Sequence, residues 1–311
     1  MRKKTSVRKG NSVSGTEKLD TVGDWLRFAV SSFGRAGLTF AQGLHGPQEE
    51  ATFLVSRFLG IAADDLPHFL TARLTPREVE ELRELVRRRM EEHVPVPYLV
   101  GEAVLGGHSF HVDERVLVPR SYVAALLPDA VVAFAGPRWK PARILELGTG
   151  SGCLAVLAAH AFPEAIVDAV DVSPDALEVA VENVRSHGLD DRVHLLESDL
   201  FEGVPPARYD LIIANPPYEP SALVDEQPPE LAREPRLALD GGVDGMALVR
   251  RIVAQARAYL SSRGVLVLEL GGLRLELLHE FPALSPHVFD LPDGTDAVLG
   301  FHARGLPNPA R

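Results

Sequence analysis

The chain has 311 residues, 46% of them hydrophobic and 24% charged, with a single cysteine and a formal net charge of -11. That length favours two domains, and the composition is that of a globular chain and not of a disordered one. One cysteine excludes an internal disulfide or a cysteine-based metal site. The longest charge-free stretch, Leu147 to Pro163, is interrupted by glycines and too short to cross a bilayer, and no apolar signal core follows the first basic residues. A cytoplasmic enzyme-sized protein, monomeric and without a membrane partner, is expected.

Residues 1–18 carry +5, with six basic residues set against Glu17, which leaves -16 for the remainder. A body this acidic argues against tight duplex binding, which requires many neutralised phosphates, so no direct nucleic-acid partner is expected. It would steer a basic partner toward itself, and it also serves solubility. A disordered basic tail is predicted over 1–20.

A helical domain is predicted over 21–95. Trp25, Phe28, Ala29 and Phe33 recur at helical spacing, as do Phe53, Leu54 and Phe58 after Pro47. A third helix opens at Thr75, with Pro76 at its first position and Glu78 completing a capping box. Pro95 and Pro97 then stop helical structure, and the glycines at 101, 106 and 107 predict a linker and small hairpin over 96–122. From 123 to 303 short apolar runs alternate with helical stretches. Ile144–Leu147, Ile166–Val170, Val193–Leu196, Leu211–Ala214 and Val265–Leu270 read as buried parallel strands. His287–Leu291 and Ala297–Phe301 are spaced to pair as a hairpin, and a tail fills 304–311. The fold class is α/β, a doubly wound sheet that binds ligands at its strands' carboxyl ends.

The first of these strands runs out through Glu146 into Gly148-Thr149-Gly150-Ser151-Gly152. Alternate glycines turn the backbone sharply and let it approach a ligand, although a tight structural turn looks the same. The spacing matches neither a P-loop nor a dinucleotide fingerprint. The second strand ends at Asp171, which can accept hydrogen bonds from both hydroxyls of a ribose; the alternative is a helix N-cap, which Ser173 could equally supply. After the third strand, Asp199 and Leu200 could bracket an adenine. Three such features after three successive strands favour a nucleoside ligand without a phosphate grip, and S-adenosylmethionine fits best.

The fourth strand ends in Asn215-Pro216-Pro217-Tyr218. Prolines fix φ and donate no N–H, so the carbonyls just before them are free to accept hydrogen bonds. An amide or amino nitrogen needs two acceptors, which the Asn215 side chain and a loop carbonyl supply, while Tyr218 can stack on a planar group.

Together these loops resemble the class I methyltransferases that act on exocyclic or amide nitrogens. Further motifs narrow the resemblance to the protein N5-glutamine methyltransferases. They are Gly107-His108-Ser109-Phe110, Val112 through Ser121, Phe162-Pro163-Glu164-Ala165, Ser198 through Phe201, Glu234 through Leu239, and Asp244-Gly245. Val116-Leu117-Val118-Pro119-Arg120-Ser121 is most similar to the branch that modifies large-subunit ribosomal protein three. The chain departs from that branch at Tyr122, Ala124, Ala125, Glu219-Pro220 and Leu231.

The resemblance implies a seven-stranded sheet, S-adenosylmethionine as cofactor, and methylation of a glutamine amide in that ribosomal protein. A peptide chain release factor, or a base amino group in nucleic acid, is the alternative substrate. It also implies site roles. Gly148, Thr149, Gly150 and Gly152 cradle the cofactor's methionine part beside Glu146, Asp171 takes the ribose, and Asp199 with Leu200 takes the adenine edge. Asn215, which also borders the cofactor, and Pro216 hold the substrate amide, with Pro217 and Tyr218 completing the catalytic loop.

Several residues are left as structural. His108 and His111 lie on one β-like run without matched ligand spacing, so hairpin-face residues are expected and no metal. Cys153 is expected to pack under the glycine loop. Asp225, Glu226, Glu230 and Glu234 form a solvated face or attract a basic substrate. Asp244-Gly245 reads as a turn, and Arg120 as a cavity residue or a partner in an interdomain ion pair.

Overall fold

A computed structural model describes residues 18–308. The tail expected over 1–20 therefore lies outside the described residues, apart from its last three. The chain divides into two compact units, Met1–Val100 and Gly101–Arg311.

The first unit is helical, with α1 (Val22–Arg35), α2 (Pro47–Leu59), α3 (Pro76–Glu91) and α4 (Val96–Val100). Thr21 caps α1 by accepting the Asp24 N–H, and Thr75 and Glu78 form the full capping box of α3. Each satisfies amides that a helix start leaves without partners. Trp25, Ala29 and Phe33 of α1 pack with Leu54 of α2 and with Leu82 and Val86 of α3 in one buried cluster. Phe28, Phe53 and Phe58, expected alongside them, are only partly buried at its margin. Pro97 does not stop the helix, as the sequence suggested. It sits in the first turn of α4, where its missing N–H has no helical partner to lose. The linker expected at 96–122 is thus split between the units.

Inside this helical core the Arg89 guanidinium meets the Glu50 carboxylate at 2.7 and 3.0 Å, both side chains being almost wholly inaccessible. A second guanidinium nitrogen donates to the Thr39 carbonyl.

The second unit opens with the antiparallel hairpin β1 (Glu102–Leu105) and β2 (His108–His111), followed by α5 (Val123–Leu126) and α6 (Asp129–Ala135). The sheet is then built from β3 (Arg143–Leu147), α7 (Cys153–Ala161), β4 (Ile166–Asp171), α8 (Pro174–Ser186), β5 (Val193–Glu197) and β6 (Tyr209–Ala214). It continues through α9 (Ser221–Asp225), α10 (Ala247–Tyr259), β7 (Leu260–Glu269), α11 (Arg274–Glu280), β8 (His287–Val288) and β9 (Val298–His302). Its order is β5-β4-β3-β6-β7-β9-β8, parallel through β7, with β9 antiparallel to both its neighbours.

The continuous apolar runs have a direct physical reading. Successive strand residues point to opposite faces, and both faces are covered. Ile144, Val167, Ile213 and Val267 join the cluster on one face, whereas Leu145, Val170, Ile212 and Leu266 join the cluster on the other. Strand order reverses between β3 and β6, which places a crevice at their carboxyl ends. Among the described residues no helix is long and apolar enough to cross a membrane.

Replacing Glu50 with Ala should cost about 3–5 kcal/mol, because it leaves the buried Arg89 charge without its carboxylate. Chemical denaturation should show most of that loss recovered in the double variant Glu50→Leu/Arg89→Met, in which neither charge is buried.

Candidate active site

The loops after β3, β4, β5 and β6 converge on one cavity of about 370 Å³. Glu146, Gly148, Thr149, Gly150, Asp171, Asp199, Leu200, Asn215, Pro216 and Pro217, all singled out from the sequence, line it. Gly152 and Tyr218 do not.

The glycine loop is pinned from beneath. The Thr149 N–H donates to the Val170 carbonyl at 2.9 Å, and the Gly150 N–H to Asp171 Oδ2 at 2.8 Å. Thr149 turns its hydroxyl inward to Glu146 Oε2 at 2.6 Å, so it offers the cavity backbone and not side chain. Gly152, at φ +79°, packs under the loop. A Cβ there would lie 3.1 Å from that of Ala180 on α8, so the residue brings loop and helix together without touching the cavity. By contrast, a Cβ on Gly148 or Gly150 would meet no protein atom within 4 Å.

Asp171 is not the N-cap of α8. Ser173 fills that position by accepting the Ala176 N–H at 3.2 Å. The Asp171 carboxylate accepts one backbone N–H on each oxygen, from Gly150 and Ser173, and burial raises its pKa above the ordinary aspartate value. At the third loop Asp199 pairs with Arg251 of α10 at 2.9 Å. Leu200 is buried at φ +52°, a left-handed conformation rare for leucine, and its carbonyl accepts the Ser198 hydroxyl.

Glu146 is buried, and burial pushes its carboxyl up to about 8 against the opposing hydrogen bond from Thr149. Cys153 is likewise buried and its thiol is pushed up to about 12, so packing prevails over any activation by the helix N-terminus.

The Asn215–Tyr218 loop is held by backbone pairing with the segment after Glu234. The Glu219 N–H donates to the Leu239 carbonyl, the Gly241 N–H to the Glu219 carbonyl, and the Ser221 N–H to the Gly242 carbonyl. Tyr218 lies against Gly271, half-buried, and burial together with the charge of Glu269 raises its phenol pKa, keeping the hydroxyl protonated. Asp244-Gly245 is more than a turn. Gly245 has φ +77°, and a Cβ on it would lie 2.2 Å from the Tyr218 carbonyl oxygen.

Sequence reasoning missed three supporting contacts. Arg251 is one; it sits on a helix with no motif to mark it. Glu234 is another. Its buried carboxylate accepts both Arg120 guanidinium nitrogens, at 2.6 and 2.8 Å, and the Val118 N–H at 2.9 Å. That pair lies within one unit, beside Pro119, Arg120 and Pro235 of the cavity wall. The third is Ser121, which donates to Glu269 at 2.6 Å. Glu230 is buried like Glu234, so the four acids after the catalytic loop are not one solvated face. Tyr122, one of the departures, donates to Asp293 at 2.5 Å, and neither it nor Leu231 lines the cavity.

The sheet, the reversal of strand order and this cavity define a class I methyltransferase that uses S-adenosylmethionine as methyl donor. Family profiles agree: the methyltransferase small domain matches residues 133–227, and the PrmC N-terminal domain matches 24–101. The chain is 47% identical to the ribosomal protein uL3 glutamine methyltransferase of Bordetella pertussis, over 91% of this chain and 95% of that protein. It is 45% identical to that of Burkholderia pseudomallei, over 92% and 96%, and 43% identical to that of Neisseria meningitidis, over 86% and 88%. It belongs to the ribosomal protein uL3 glutamine methyltransferase family.

Two substitutions probe this framework. Unfolded Glu146 ionises near its ordinary 4.5, whereas the folded residue holds its proton to about 8. Between those values the unfolded state binds fewer protons, so this residue's contribution to stability falls as pH rises. Thermal melts of Glu146→Gln should therefore show a melting temperature that gains on the unsubstituted chain from pH 5 to pH 8. Gly245→Ala forces both a positive φ and a clash with Tyr218. Denaturant titration should show a loss of at least about 2 kcal/mol.

Proposed function

We propose that the chain methylates the side-chain amide nitrogen of a glutamine in ribosomal protein uL3. The observation that carries this reading is the placement of Asn215, Pro216 and Pro217 on the wall of the same cavity as Asp171 and the glycine loop, in a chain so similar to curated uL3 glutamine methyltransferases.

The residues present fit the cofactor. The space in front of Gly148 and Gly150 that a Cβ would enter is free of protein atoms, and Asp171 turns a largely buried carboxylate toward the cavity. Gly148, Thr149 and Gly150 would hold the methionine part through backbone groups, with Gly152 seating the loop from behind. The Asp171 oxygens each keep a lone pair for a ribose hydroxyl, and Asp199 and Leu200 border the adenine. Bound there, S-adenosylmethionine supplies an electrophilic methyl group on a sulfonium.

A glutamine amide is a weak nucleophile, because its nitrogen lone pair is delocalised into the carbonyl. The Asn215 side-chain oxygen and the Pro216 carbonyl accept its two N–H groups, which polarises the nitrogen and fixes its direction. Tyr218, its ring against Gly271 and its carbonyl beside Gly245, lies off the cavity wall and supports the loop from behind, not the substrate amide directly. The nitrogen would take the methyl group as the carbon–sulfur bond breaks to leave a neutral thioether, and would release one proton to solvent, so the product is a neutral secondary amide. No strong base is required, and positioning supplies much of the rate gain. The acidic body suits a basic protein substrate.

Labelled-methyl transfer with purified uL3 and a peptide release factor as competing acceptors, read by peptide mass spectrometry, tests the reading. Label on a uL3 glutamine is expected. Label on the release factor alone overturns the substrate, and label on neither overturns the reaction. Asn215→Ala should lower turnover at least about 100-fold, the scale on which one oriented polar group acts, while cofactor affinity stays within a few-fold.

A further inference from the structure

Three histidines far apart in sequence meet at the ends of α7 and α8 remote from the cavity. His108 begins β2, His160 is the penultimate residue of α7, and His187 is the C-cap of α8. A potential ligand nitrogen from each lies within 4.8 Å of the other two. His111, which the sequence paired with His108, stands elsewhere, between Asp113 and Glu182.

The details favour a cation. His187 Nε2 lies 3.0 Å from the Ser109 carbonyl, so its N–H is directed there and Nδ1 presents its lone pair to the cluster. A carbonyl on the remote nitrogen is what orients a metal-bound imidazole. His160 Nε2 is 3.4 Å from that Nδ1. Two nitrogens bound to one tetrahedral zinc ion at about 2.0–2.1 Å stand about 3.4 Å apart. The ring of His108 stacks on that of His160 with centroids 4.7 Å apart, and one of its nitrogens lies within 4.8 Å of a nitrogen of each partner. Two helix C-termini add negative potential. Arg192, tied to the Ala159 and Ala165 carbonyls, opposes it.

We propose that His108, His160 and His187 bind a divalent transition-metal ion of the zinc type through three imidazole nitrogens, with water as fourth ligand. An all-imidazole set suits zinc, copper or nickel and not magnesium or calcium, which require oxygen. Along α7, His160 lies six residues beyond Leu154 of the cavity wall, about 9 Å at 1.5 Å per residue, so the ion takes no part in methyl transfer. It clamps the hairpin to α7 and α8.

The test is calorimetric titration of the untagged, chelator-treated full chain with Zn²⁺, followed by Co²⁺, whose visible absorption reports tetrahedral coordination. One equivalent of each is expected to bind, with a rise in melting temperature under Zn²⁺ and no response to Mg²⁺. His160→Ala and His187→Ala should each weaken Zn²⁺ binding at least about tenfold, whereas His111→Ala leaves it unchanged. If an alanine variant loses its native circular dichroism, His160→Gln and His187→Gln replace it. The proposal is overturned if the unsubstituted chain binds no stoichiometric Zn²⁺, or if both variants bind it undiminished.

Discussion

Strands β3 and β6 are neighbours in the sheet, yet their following connections leave in opposite directions. Everything in the candidate site follows from that divergence. The chain leaving β3 turns back over one face through α7, and the chain leaving β6 crosses toward the other. Neither can fill the space above their ends. The glycine loop supplies one wall of that space, and Asn215-Pro216-Pro217 supplies the wall opposite. A donor and an acceptor molecule are thus brought together by sheet topology before any side chain is considered.

Holding the two walls falls to buried polar groups. Glu146 and Asp171 brace the glycine loop through Thr149 and Gly150, while Glu234 and Glu269 brace the segment from Val118 to Ser121. Each carboxylate is satisfied by hydrogen bonds, as groups at this depth must be. Burial also raises Glu146, Asp171 and Glu269 above their ordinary values, a strain that the framework carries in exchange for fixed loops.

The sheet was legible because its strands are buried on both faces and therefore read as unbroken apolar runs. The cavity residues were legible because each directly follows such a run. What escaped the sequence was support acting across long separations. Glu234 looked like surface charge because nothing local reveals that Arg120 and Val118 fold over it. Arg251 sits on a helix whose spacing signals only amphipathicity. Gly245 looked like an ordinary turn residue, since its constraint comes from the Tyr218 carbonyl, brought close only by folding. Pro97 misled for the opposite reason: a helix-breaking residue is harmless in a first turn, and boundaries that short are invisible to periodicity.

The contacts of Glu234 also determine how this scaffold could diversify. A relative that acquired a new catalytic loop alone would inherit a carboxylate shaped for another chain's Arg120 and Val118. The two segments, 115–121 and 215–245, share hydrogen bonds at Glu234, and both border the cavity. They form one exchangeable module whose halves are far apart in the gene. Recombination between relatives would therefore tend to preserve them together or lose both, and a graft intended to change substrate must carry both halves.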